Sequence, residues 1–146
     1  MAQLRHLLPV ALAGGLLVTP VSAGASSAPA PVVRPVTTFE DRTFGRVLAT
    51  RAGKALYWWN RERDGRVRCT GSCARAWPPL IVPPRARVPA TVPGVRGRFG
   101  TVRRPDGRRQ VTYQGRPIYT YAHESPRQVL CNNVDGWFVA RARGLT

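Results

Sequence analysis

A stretch of this chain occurs twice. Gly53 to Pro79 reads GKALYWWNRERDGRVRCTGSCARAWPP, and Gly115 to Phe138 reads GRPIYTYAHESPRQVLCNNVDGWF. At an offset of 62 positions Gly53 meets Gly115, Leu56 meets Ile118, Tyr57 meets Tyr119 and Trp59 meets Tyr121; Glu62 then meets Glu124, Val67 meets Val129 and Cys69 meets Cys131. Allowing a two-residue gap in the later copy also brings Trp77 onto Trp137. Agreement at this many apolar, acidic and cysteine positions marks a duplicated structural unit. Each copy also opens alike, with Phe44-Gly45-Arg46-Val47 in the first and Phe99-Gly100-Thr101-Val102 in the second.

Local signals make the unit a β meander. The second copy contains a turn at Pro105-Asp106-Gly107, a strand pattern at Gln110 to Tyr113 and a further turn at Gln114-Gly115. Gly and Pro punctuate almost every window and no helical period persists, so at most one short helical turn is expected, over Ala74 to Trp77. Alternation along Leu56 to Trp59 places Tyr57 and Trp59 on one face and Leu56 and Trp58 on the other, which predicts a central strand covered on both sides. Tyr119 and Tyr121 take the equivalent part in copy two. In a domain this small, such large side chains are needed to bury enough area, so core packing is the first expectation and a ring-stacking cleft the second. The fold class expected is all-β: one small domain of short antiparallel strands in two repeats.

Domain bounds follow from composition. Residues 1–23 read as an export signal, with Arg5 and His6 before the apolar run Leu7 to Val18 and small residues for cleavage after Ala23 or Ala25. The run is too short to span a bilayer. The first cysteine is Cys69, so no lipid-attachment cysteine follows the apolar run and a lipid anchor is not expected. Residues 24–43 mix Ala, Pro and Ser with little to bury and read as a flexible spacer. The β domain is placed at 44–146, with copy one at 44–80, a Pro-rich linker at 81–98 confined to an edge, an extended connection or a surface loop, and copy two at 99–143.

Charge bounds the partners. The chain has 23 Lys plus Arg against 7 Asp plus Glu, a formal net charge of +16. Outside the cell such a field favours anionic envelope polymers or lipid headgroups, and salt weakens the attraction. Export argues against a specific nucleic-acid partner, although adventitious binding at low salt follows from the charge. Arg66 and Arg68 alternate with Val67 and Cys69, and Arg141 and Arg143 flank Ala142, which suits strands with arginines turned to solvent.

Taken together, these motifs resemble a bacterial family of secreted repeats described as predicted lipoproteins with a Tyr-x-aromatic-x-x-Asp motif. The resemblance covers roughly residues 44 to 143. It rests on Leu56 to Glu62, on Cys69-Thr70-Gly71-Ser72-Cys73-Ala74 with Trp77-Pro78-Pro79, on Arg104 to Gly107 with Gln110 to Tyr113, on Gly115 to Tyr121, and on Gly136-Trp137-Phe138-Val139. The motif positions are Tyr57, Trp59 and Glu62 in copy one and Tyr119, Tyr121 and Glu124 in copy two, with glutamate standing where the motif has aspartate. The resemblance implies an exported, repeat-built domain without a settled biochemical activity. It also favours a bridge between Cys69 and Cys73, which the family motif carries together.

Two of the three cysteines are expected to pair in an oxidising compartment. Cys69 and Cys131 occupy equivalent positions, so a bridge between the copies is the rival pairing. Cys69, Cys73 and Cys131 with His123 would also suffice for a thiolate-rich zinc or copper(I) site, the only cofactor the chain suggests. Glu62 and Glu124 are candidates for paired carboxylates acting on a glycan, against the plainer role of bonding a turn or meeting an arginine. No hydrolase constellation is present: Ser72 is not in a nucleophile elbow, and His123, Glu124 and Ser125 are consecutive. The reading is therefore an exported, non-enzymatic binding or structural module at the envelope. A thiol-based metal or redox carrier is the alternative, and a carboxylate-dependent glycan enzyme the third.

Overall fold

In a computed structural model the chain is described over residues 27–145. The expected export signal, residues 1–23, and the cleavage positions expected after Ala23 or Ala25 lie outside these residues. The fold is all-β, built from eight short strands in chain order: β1 (Val36–Asp41), β2 (Gly45–Thr50), β3 (Tyr57–Trp59), β4 (Ile81–Val82), β5 (Phe99–Arg103), β6 (Arg109–Tyr113), β7 (Arg116–Pro117) and β8 (Trp137–Val139). One five-residue helix, α1 (Ser72–Ala76), starts two residues before the expected turn and ends where Pro78 approaches. A second short turn, a 3-10 turn at Asn60–Glu62, adds to the single one expected.

The strands form three antiparallel groups. β1 pairs with β2, β3 pairs with β8, and β6 lies against β5 on one side and against β4 and β7 on the other. Gln114 and Gly115 both take positive φ, 48° and 77°, which gives the β6–β7 hairpin the twist that two-residue loops need.

β3 is the strand on which both cores converge. Leu56 and Trp58 enter one cluster with Val82, Phe99, Val111, Tyr113, Ile118 and Ala140. Tyr57 enters the other with Phe39, Val47, Cys69, Trp77, Tyr119, Trp137 and Val139, and Trp59 packs at its edge. The apolar character of both faces of this strand follows from its position between two cores.

Two expectations about the connecting segments need correction. Residues 24–43 are not a spacer throughout, because β1 runs the full length of β2 and buries Val36 and Phe39. Even Pro31 and Val33 are bonded to the backbone of Arg87, at 2.8 and 2.9 Å. The segment 81–98 is likewise more than a linker, since β4 bonds to β6 and Val82 and Ala86 are buried. Its place at the sheet edge is where prolines lacking an N–H are tolerated. Residues 66–69 form no strand, yet Cys69 points inward and Arg66 and Arg68 outward.

Candidate functional site

The two copies meet at their tyrosines. Tyr57 donates its backbone N–H to the Tyr119 carbonyl at 2.8 Å, and Tyr119 returns the bond to the Tyr57 carbonyl at 2.9 Å. This reciprocal pair places a local pseudo-twofold axis between repeat-equivalent residues. The side chains obey the same axis. The Tyr119 hydroxyl donates to the Glu62 carboxylate, 3.0 and 2.9 Å from its two oxygens, and the Tyr57 hydroxyl donates to Glu124 Oε1 at 2.5 Å.

Each glutamate also closes its own turn. Glu62 Oε1 accepts the backbone N–H of Arg68 at 2.6 Å and of Cys69 at 2.9 Å. Glu124 Oε1 accepts that of Leu130, the position equivalent to Arg68, at 2.7 Å. A carboxylate is the acceptor-only group that can take several donors at once, and burial makes those donors necessary. Glu62 is wholly buried and Glu124 nearly so, so the motif acids bind turns and tyrosines inside the protein.

The two sites are chemically unequal. Next to Cys69, whose N–H bonds Glu62, lies the buried guanidinium of Arg104, bonded to Gln110 Oε1 at 2.5 Å and to the Cys69 carbonyl at 2.8 Å. Among the described residues Glu124 has no comparable buried cation, and its Oε2 has no hydrogen-bond partner. Burial accordingly pushes the Glu124 carboxyl above the usual carboxylate range, against the opposing bonds from Tyr57 and Leu130. Burial raises both tyrosine hydroxyls far above their ordinary value, reinforced by the neighbouring carboxylates, so both remain donors.

The aromatic residues form a column across the axis. Trp59 stacks on Trp137 with centroids 5.2 Å apart, Trp137 on Trp77 at 3.9 Å, and Trp77 leans on Tyr121 at 4.8 Å. Tyr57 meets Trp77 edge-on at 5.3 Å, and Tyr119 meets Trp137 edge-on at 5.1 Å. Each of these ring contacts has its counterpart across the axis. Trp77 and Trp137 are buried at the centre of the column, so its middle is core and only the ends reach solvent.

The cysteines divide two and one. Cys69 and Cys73 form a disulfide, and Cys131 is a free thiol, half-buried against the same aromatic core. The rival bridge between Cys69 and Cys131 is therefore not formed. Burial first, then the charges of Glu124 and Asp135, push the Cys131 thiol up, so it stays protonated and weakly nucleophilic. The thiolate site proposed from Cys69, Cys73, Cys131 and His123 is not assembled: the disulfide consumes two of its ligands, and no group of three His, Cys, Asp or Glu among the described residues is placed to hold a metal. His123 instead meets the Tyr121 ring edge-on at 5.5 Å.

Residues 100–141 match the model of a family described as a secreted repeat of unknown function. The matched residues lie in the second copy. Its matched segment runs from β5 to the end of the aromatic core and includes Tyr119, Tyr121, Glu124 and Trp137. No curated protein and no solved structure matches the chain.

Sequence reasoning missed Arg104 as a site residue. It reads as the start of a turn, Arg104-Pro105-Asp106-Gly107, yet the backbone carries its side chain inward beneath the first-copy cysteines. No local pattern marks it, because its partners Cys69 and Gln110 are brought to it only by the fold.

Proposed function

We propose that the protein is an exported, non-enzymatic binding module that associates through its arginine surface with anionic material of the cell envelope. The observation that carries this reading is how few acids are left to neutralise that surface. Glu62 and Glu124 are buried beneath tyrosines, and Asp41 is occupied by the backbone N–H groups of Thr43 and Phe44. Among the described residues, ion pairs take in Arg46, Arg68, Arg104 and Arg108. The remaining arginines supply a field that attracts polyanions. The secreted character of the matched family supports an extracellular or envelope setting, and no helix among the described residues is long and apolar enough to cross a membrane.

The motif glutamates favour this reading over glycan chemistry. A general acid or nucleophile must reach its substrate, whereas these carboxylates are enclosed and Glu62 and Glu124 Oε1 are taken up by tyrosine and backbone donors. Cosedimentation of the protein with envelope preparations tests the proposal. Retention at low salt and release as the salt approaches about 1 M, where the Debye length is about 3 Å, is the expected result. No retention at low salt would overturn it.

A further inference from the structure

We propose that the cleft between α1 and the β5–β6 turn is a phosphate-binding site, with Arg68, Arg75 and Arg108 on its rim and Arg104 on its floor. This rests on the reading of the protein as a polyanion-binding module and assigns that activity a place. The cleft has a volume of about 550 Å³, within the range of small-ligand sites. Arg75 is exposed on α1, and Arg108 approaches from the opposite wall.

The floor supplies the independent observation. Arg104 is buried, with a side chain 1% exposed, and its Nε has no hydrogen-bond partner among the described residues. Its other two nitrogens face neutral acceptors, the Gln110 amide oxygen and the Cys69 carbonyl. Asp106 stands 3.5 Å from Nε, an ion pair too long for a hydrogen bond, on an exposed turn where it also pairs with Arg108 at 2.8 Å. A buried cation without a bonded anion is costly, and a guanidinium edge is shaped for an oxyanion. Asp106 thus stands as a resident anion, loose against Arg104 but bonded to Arg108, and a phosphate with more oxygens and more charge competes with it for both guanidinium groups.

The occupant argued for is a phosphodiester group of an envelope polymer rather than a bilayer. The site is concave, and the exposed large apolar residues Val32, Leu130 and Val134 do not line it, so nothing beside it would insert into lipid. The test is calorimetric titration of the full exported chain with an oligomer of glycerol phosphate, with inorganic phosphate, and with phosphatidylglycerol vesicles. The R75Q/R108Q double variant is expected to bind the oligomer about tenfold more weakly, a loss of about 1.4 kcal/mol. R42Q/R143Q removes the same charge from exposed positions elsewhere and is expected to change it less than about twofold. Asp106→Asn is expected to tighten binding, and Asp135→Asn, of equal charge change, is not. Inorganic phosphate is expected to shift the Arg104 Nε–H resonance. Equal losses in the two arginine pairs, or no tightening in Asp106→Asn, would overturn the cleft while leaving the diffuse association standing. Tighter binding to vesicles than to the oligomer would overturn the polymer assignment. Absence of retention on envelope material in the separate salt experiment is what would remove the underlying reading.

Discussion

Tyr57 and Tyr119 exchange both backbone hydrogen bonds with each other, and each sends its hydroxyl to the other copy's glutamate. Neither copy closes its own carboxylate site. The duplicated sequence is thereby a single cooperative unit: a glutamate that bonds its own turn is completed only by the tyrosine of its partner copy. This explains why tyrosine and an acid recur at a fixed spacing, since both are needed on each side of the axis.

The inequality of the two sites makes the tyrosines differ in their contribution. Tyr119→Phe leaves Glu62 with the N–H groups of Arg68 and Cys69, whereas Tyr57→Phe leaves Glu124 with that of Leu130. Removing a donor from a buried carboxylate costs about 1–3 kcal/mol, toward the upper end where fewer donors remain. Tyr57→Phe is therefore expected to destabilise more at neutral pH, measured by urea unfolding. A larger loss in Tyr119→Phe would contradict the assigned asymmetry.

Glu124 gives the pH dependence a sign. Its folded pKa is raised above 4.5 by burial, so the folded state prefers the protonated form. Its contribution is fully present below the unfolded pKa and is lost as pH rises through the folded value. The stability of the wild-type protein relative to Glu124→Gln should thus decline as pH rises from about 4.5 toward neutrality. Asp64 and Asp106 have the opposite sign and a lower window, because hydrogen bonds from Arg68 and Arg108 hold their carboxyls down, that of Asp106 to about 2. Unfolding curves of both proteins across this range decide the matter. A difference that is flat or grows with pH would show that Glu124 is not the group responsible.

How far these features are legible in the sequence depends on whether the signal is periodic. The strand at Tyr57 to Trp59 shows its two buried faces directly, because four successive large apolar residues leave no polar side. β1 does not. Its buried residues Val36 and Phe39 are three apart, and its Thr, Glu and Asp resemble the polar segment before it. The better clue was the turn after it, where Asp41 accepts the N–H groups of Thr43 and Phe44 and Gly45 takes a φ of 70°. That turn implies a strand on each side. Burial of Arg104 has no comparable clue, since it depends on the Cys69 carbonyl and Gln110, distant positions that the fold alone brings to its guanidinium.

The disulfide closes a sequence separation of 4, so its effect is local. Chain-entropy reasoning gives about 2 kcal/mol for so short a loop, less than for a bridge spanning the domain. Cys69→Ser/Cys73→Ser is expected to fold, with stability lowered by about that amount. Alkylation of the unreduced, denatured protein should label one thiol, at Cys131. A disulfide-linked peptide containing Cys131 in the map would refute the pairing.

Trp137 tests the column, because it touches more of it than any ring at an end. It stacks on Trp59 and Trp77 and receives the edge of Tyr119, while Trp59 stacks on Trp137 alone within the column. Trp137→Ala is expected to cost about 3–5 kcal/mol, the range for deleting a buried aromatic side chain. Trp137→Phe retains a ring but separates the indoles of Trp59 and Trp77, so the coupled indole signal in circular dichroism should collapse. Trp59→Phe shortens the column from one end, leaves the closest stack of Trp77 on Trp137 in place, and should keep most of that signal. Equal spectral losses in the two phenylalanine variants would mean that the stack of Trp77 on Trp137 is not the centre of the core, and with it the pseudo-twofold packing of the two copies would fall.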